Sequence, residues 1–125
     1  MANWTFFDYV SERGVNEIDA WLDSLPPKAA AKVEWLVSNL RGVPRLTRPY
    51  VGTRAKYPSL YELVVDAGGR ALRPLCCYGP DLRQVTILIG AEEKDGELIP
   101  KHVERTAEQR RLIILADRTR VIPHE

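Results

Sequence analysis

Apolar residues recur along the 125-residue chain with two different periods, and the switches between them divide it into elements. Trp4 to Val10 (WTFFDYV) is dense in aromatic and β-branched residues and predicts a first strand, which Gly14 ends. Ile18, Trp21, Leu22 and Leu25 then take the i, i+3, i+4, i+7 spacing of one helical face, with Asp19 and Asp23 outward and Asn16 placed to cap the first turn. Pro26-Pro27 must stop this helix. Pro27 suits the first turn of a second, whose stripe is Ala30, Val33, Val37 and Leu40 and whose end Gly42 marks. So short a link predicts an antiparallel helical hairpin.

From Val43 to Ser59 three prolines and Gly52 predict an irregular surface loop. Strands follow at Leu60–Asp66, Arg70–Tyr78 and Leu82–Ala91, separated by the turn signals Ala67-Gly68-Gly69 and Gly79-Pro80-Asp81, which predicts an antiparallel meander. Pro74 cannot donate to a ladder and requires an edge, a bulge or a non-bonded position. Asp95-Gly96 forms another turn. Pro100 opens a last helix with Val103, Ala107 and Ile114 on one side, and the polar end from Arg118 to Glu125 is expected to fray. This order predicts a single α+β domain over residues 1–125. Its small antiparallel sheet, of about four strands, packs on the N-terminal helical hairpin and carries a C-terminal helix; the helices share one face and leave the other partly open.

No apolar run approaches the roughly 18 residues that span a bilayer, and the N-terminus is too acidic and too short in apolar length for a signal peptide. A cytoplasmic protein without a membrane partner is therefore expected. The only cysteines, Cys76 and Cys77, adjoin in a strand and point to opposite faces, so neither a disulfide nor a metal site is called for, and no cofactor. His124, near the terminus, carries no signal.

Net charge is only +1, but its distribution is uneven. Arg41 to Lys56 holds five basic residues and no acid, and the last helix adds Lys101, Arg105, Arg110, Arg111, Arg118 and Arg120. These are candidate phosphate contacts. Against them stands EEKDGE, four acids around Lys94.

Four short motifs in order then acquire meaning: Leu60-Tyr61-Glu62-Leu63; Leu72-Arg73-Pro74-Leu75; Gly90 with Lys94; and Pro100 with Ala107 seven residues later. Their order and spacing resemble the RelE/ParE toxin superfamily, especially its HigB-like, phage-associated branch, over most of the chain. The resemblance implies a RelE-like fold and a toxin of a type II toxin-antitoxin system. Such a toxin cuts mRNA in the ribosomal A site and is silenced by a cognate antitoxin, expected to be a small helix-turn-helix protein. Cleavage by RNA's own 2′-hydroxyl needs in-line alignment, charge relief on the phosphate and help with proton movement. By this likeness Arg73 clamps the scissile phosphate, Lys94 neutralises developing charge, and Glu62 and His102 are the carboxylate and imidazole available for proton transfer. Arg45, Arg48, Arg54, Lys56, Lys101, Arg105, Arg110 and Arg111 would bind ribosomal RNA or the mRNA backbone, and Tyr61, with Tyr50 and Tyr57, could stack on a base.

Three positions depart from the family pattern: Val64 stands for an arginine, Ala91 for a phenylalanine and Glu93 for a lysine. Lysine to glutamate changes the local charge by two units, so phosphate binding there should be weaker than in typical relatives. Two other functions keep the same fold: a toxin-like module that has lost cleavage and binds an antitoxin or host protein, and a ParE-type toxin directed at gyrase. The plain alternative for Arg73 is a strand arginine paired with Asp66 or Glu62.

Overall fold

A computed structural model describes residues 3–125. In chain order the elements are β1 (Thr5–Tyr9), α1 (Glu17–Ser24), α2 (Pro27–Leu40), β2 (Val51–Thr53), β3 (Tyr61–Leu63), β4 (Val65–Ala67), β5 (Arg70–Leu72) and β6 (Leu75–Tyr78). Then come β7 (Gln84–Ile89), β8 (Glu92–Lys94), β9 (Glu97–Ile99), α3 (Val103–Ala116), a 3₁₀ turn over Arg118–Arg120, and β10 (Val121–Pro123).

The helical hairpin forms as its sequence dictates. Asn16 Oδ1 accepts from the amides of Ile18 and Asp19 at 2.9 and 3.0 Å, satisfying two of the donors that a helix start leaves free. Ile18, Leu22 and Leu25 of the first arm and Ala29, Val33, Leu36, Val37 and Leu40 of the second are buried against the sheet.

Two sheets replace the single one of about four strands. One has six strands in the order β10-β1-β7-β6-β3-β2, the other four in the order β4-β5-β8-β9. Nor is the larger sheet wholly antiparallel, because β1 lies parallel to β7, with Phe6 opposite Val85. The two sheets are halves of one meander. Each of its three long strands breaks at a particular place: β3 from β4 at Val64, β5 from β6 at Arg73-Pro74, and β7 from β8 at Gly90-Ala91. The breaks line up, since the amide of Leu63 bonds the carbonyl of Pro74 at 3.0 Å and that of Arg73 bonds the carbonyl of Ala91 at 2.8 Å. Pro74 has no amide hydrogen to continue the ladder, and Gly90 has no side chain to pack, so the crease forms where the sequence is weakest as strand. At the tip, Gly68 and Gly69 both take positive φ (58° and 79°), which a two-residue turn of this kind requires, and Ala67 closes it against Arg70.

Helices cover both faces, not one. The hairpin packs on the face carrying Phe6, Leu63, Leu72, Cys76, Val85 and Ile87. α3 covers the opposite face, where Val103, Ala107 and Ile114 meet Leu60, Leu75, Cys77 and Leu88. Each valine, leucine and isoleucine among them contributes ~1.5–3 kcal/mol by leaving water, which explains why the second face does not stay open. The segment after Arg120 does not fray. β10 pairs antiparallel with β1, Val121 opposite Tyr9, and the amide of His124 bonds the carbonyl of Phe6 at 2.9 Å. Within the loop expected to be irregular, Val51–Thr53 adds the edge strand β2 beside β3. α3 starts at Val103, three residues later than Pro100 suggested, because Glu97–Ile99 pairs with β8 as a hairpin. No helix among the described residues is long and apolar enough to cross a membrane.

Candidate functional site

Where β2 ends, the chain runs past the start of α3, and a cleft of about 650 Å³ opens between them. Arg54, Lys56 and Tyr57 form one wall, Glu97 and Leu98 of β9 the floor, and Lys101 to Arg105 the other wall. Val103 and Ala107 are anchored in the core, which turns Lys101, His102 and Arg105 outward. His102 precedes the helix in the left-handed region, φ 66°. Four cations thus face two carboxylates, Glu97 and Glu104, in a space wide enough for a polyanion strand.

Beneath one wall runs a chain of ion pairs. Arg54 donates to Glu62 at 2.7 Å and to Glu104 at 2.9 Å. The second oxygen of Glu62 lies 3.9 Å from Arg73, and Arg73 in turn donates to Asp66 at 3.1 Å and to the carbonyl of Leu72 at 2.8 Å. Burial works against the charge of Arg54, but its hydrogen bonds to Glu104 and Glu62 outweigh it and raise its pKa above the ordinary value. Gly52 lies opposite Glu62 in the β2–β3 ladder, and a β-carbon there would come within 3.2 Å of the Glu62 side chain. That missing side chain is what lets the carboxylate lie over β2 and reach Arg54.

The structure therefore brings Arg54, Lys56, Lys101, His102 and Arg105 into one cleft and links Glu62 and Arg73 to it through Arg54. It does not bring in Lys94. Ala71 lies opposite Glu93 and Leu72 opposite Glu92, so Lys94 falls opposite Arg70, three residues or ~10 Å along the strand from the position facing Arg73. Alternation places Lys94 on the face of Leu72, toward the hairpin, and Arg73 on the face of Asp66 and Ala71. Arg73 and Lys94 do not converge on one phosphate. Glu92 is drawn to Arg70, 2.8 and 3.1 Å away, and that hydrogen bonding holds its carboxyl below the ordinary range.

Other expected RNA contacts are committed elsewhere. Arg110 donates to the carbonyl of Leu88 and to Glu17, and its guanidinium lies 4.7 Å from the centre of the Tyr9 ring, so it ties α3 to the sheet. Arg111 holds Glu108 through two hydrogen bonds. Tyr61 sits opposite Cys76 on the hairpin face and packs on Tyr78, ring centres 4.6 Å apart, away from the cleft. Arg45 and Arg48 are exposed on the loop before β2 and do not line it. The residue that sequence reasoning missed is Glu104. Only its position in the first turn of α3, beside Arg105, could have flagged it, and acids are ordinary there.

A family model described as phage-derived protein Gp49-like matches residues 20–112, from within α1 to within α3, a span that includes the crease and the whole cleft. No curated protein and no solved structure matches the chain. With about three quarters of its length matched, the chain belongs to the phage-derived Gp49-like family, a RelE-like toxin family of type II toxin-antitoxin systems.

Proposed function

We propose that this chain is a HigB-like toxin that binds mRNA on the ribosome and cuts it in the basic cleft, and that a cognate antitoxin silences it. The observation that carries the proposal is the gathering of Arg54, Lys56, Lys101, His102 and Arg105, drawn from two distant stretches of sequence, around one opening. Lys56, Lys101 and Arg105 hold the backbone phosphates on either side of the cut. Arg54, with its planar fork, presents two aligned donors to the scissile phosphate once the strand takes the place of a carboxylate. The 2′-oxygen attacks phosphorus and the bond to the 5′-oxygen breaks, leaving a cyclic phosphate and a 5′-hydroxyl. His102, on the cleft wall, is the side chain of suitable chemistry to move the protons in that step. Arg73 acts one residue deeper, by holding Glu62 and through it the orientation of Arg54.

Induction in growing bacteria is the test. Growth should stop with cuts in translated mRNA, and the double variant Lys101→Glu/Arg105→Glu should restore growth and intact message. Arrest with uncut mRNA would sink the cleavage proposal.

A second reading, a toxin-like binding module without cleavage, is favoured by one observation: Arg54 and Arg73 are both held by carboxylates, and Lys94 lies on the other face. In that case induction is harmless while the purified chain still binds RNA or its antitoxin.

A further inference from the structure

On the hairpin face, away from the cleft, a groove of about 200 Å³ lies between α2 and the crease. Leu36, Val64 and Val65 form its floor, and Trp35 on one side and Pro49-Tyr50 on the other form its walls. We propose that this groove is a protein-docking surface that takes an acidic peptide segment of another protein, anchored by one large apolar side chain between Trp35 and Tyr50.

Size argues for a side chain and against a metabolite. Small-molecule sites run to roughly 300–1,000 Å³, and this one is smaller, while a single leucine, phenylalanine or tryptophan fits it. Its walls are aromatic and open: Trp35 is 55% exposed and Tyr50 47%. A tryptophan and a tyrosine flanking one apolar slot are the residue types that carry binding energy at interfaces. The walls are also held in place. The amide of Val64 bonds the carbonyl of Tyr50 at 2.8 Å, fixing the loop wall to the floor, and the ammonium of Lys32 donates to the carbonyl of Asp66, fixing α2 to β4. Val64 is the position where the family pattern has arginine; here it makes the floor apolar.

Charge selects the partner. Lys28 and Lys32 precede Trp35 at i−7 and i−3, on one exposed stripe of α2, and Arg48 adjoins Pro49 on the other wall. Lys28, Arg45 and Arg48 have no ion-pair partner among the described residues. The one carboxylate at the rim, Asp66, is already taken by Arg73 at 3.1 Å. An apolar slot with unpartnered cations on both sides complements a segment with acids flanking its anchor. The groove faces away from the cleft, so this proposal stands apart from RNA cleavage.

The test is selection of a displayed library of random 12-residue peptides against the full chain. Enriched peptides should carry Asp or Glu around a Leu, Phe or Trp. A synthetic copy, followed by fluorescence anisotropy, should bind about tenfold or more weakly to Trp35→Ala and to Lys28→Glu/Lys32→Glu. It should bind Lys101→Glu, in the cleft, as it binds the parent chain. Circular dichroism confirms that each variant is folded, and the two groove variants check one another. Failure to enrich, enrichment of neutral or basic peptides, or undiminished binding to both groove variants overturns the proposal. So does a dimer in sedimentation that Trp35→Ala dissolves, because the groove is then covered by a second copy. Loss of oligo(U) binding in the groove variants, with no peptide selected, assigns the surface to RNA and equally overturns it.

Discussion

Gly90 lies directly under the indole of Trp21, so close that a β-carbon on residue 90 would overlap the ring atoms Cγ, Cδ2 and Cε2. Gly90 is also where the longest strand of the meander breaks, so one residue both starts the crease and seats α1 upon it. Those contacts are with the inner atoms of a rigid ring, and no rotamer change at the tip relieves them. Gly90→Ala should therefore destabilise the fold by ~1–3 kcal/mol, the range for overpacking. Thermal denaturation should show a fall of several degrees, and Trp21→Ala in the same chain should make the second substitution nearly neutral. An unchanged midpoint for Gly90→Ala alone would show that the helix rides up at no cost.

His124 is clasped between Asp8 on β1 and Glu34 on α2, at 2.7 and 2.6 Å, and fastens β10 to both layers. Burial opposes its charge, but the hydrogen bonds and charges of the two carboxylates prevail and push the imidazole up to about 9. The folded pKa is thus above the ordinary 6.5, so the stabilisation is complete below about pH 6.5 and disappears as pH rises through about 9. It amounts to ~3 kcal/mol at most. The thermal midpoint should fall between pH 6.5 and 9 in the parent chain. In His124→Gln it should be lower at pH 6 and flatter across that window; parallel curves for the two proteins would rule the clasp out as the source.

Cys76 and Cys77 are both buried, one toward the hairpin and one toward α3, and burial raises both thiols well above the usual range. Arg111 alone favours a thiolate, at Cys77, and burial outweighs it, so both thiols are inert. An aromatic disulfide reagent at pH 8 should label neither in the native chain over minutes, and both once denaturant unfolds it. Rapid native labelling of either one would mean that its strand opens on its own.

Periodicity and turn residues made the helical hairpin, the meander and the buried face of α3 legible. Ile18, Leu22, Val33, Val37, Val103, Ala107 and Ile114 are all core, as their spacing required. What escaped were elements too short to show a period. β2 and β10 have three residues each and exist only because a neighbouring strand offers a free edge. The crease was half visible in Pro74, but its alignment with Val64 and Gly90 is a matter of register between strands. The same cause separates Arg73 from Lys94: Arg73 falls in the break between β5 and β6, Lys94 lies in β8 beyond the expected strand, and a three-residue offset puts them on different faces. The cleft was legible as charge, in Arg54, Lys56, Lys101 and Arg105, and illegible as geometry, because its walls are about 45 residues apart in sequence.

Removing Lys101 and Arg105 should change how RNA binding responds to salt. If each neutralises one phosphate, the slope of log affinity against log salt for a single strand drops by roughly 0.7 per cation removed. Filter binding of oligo(U) from 50 to 200 mM salt measures it. Arg110→Ala should leave the slope unchanged and lower the thermal midpoint, since that arginine holds Glu17 and the carbonyl of Leu88. The reverse pattern would move the RNA surface to the far end of α3.

Arg54 sits between two carboxylates, and an incoming phosphate must compete with them for the same donors. The two are not equivalent. Glu62 is also within 3.9 Å of Arg73 and lies over Gly52, so removing its charge leaves two half-buried arginines without their shared partner. Glu104 lines the cleft and has only Arg54. Glu104→Gln should free the Nε side of the guanidinium and remove a negative charge from the RNA path. The gain near a surface is ~1 kcal/mol, or roughly fivefold tighter oligo(U) binding, with little loss of stability. Glu62→Gln should instead cost ~1–3 kcal/mol of stability. Titration calorimetry with oligo(U), alongside denaturant unfolding, separates the two effects. Should Glu104→Gln bind no better while remaining folded, Arg54 is a strut between β2 and α3 and the phosphate is held by Lys56, Lys101 and Arg105 alone.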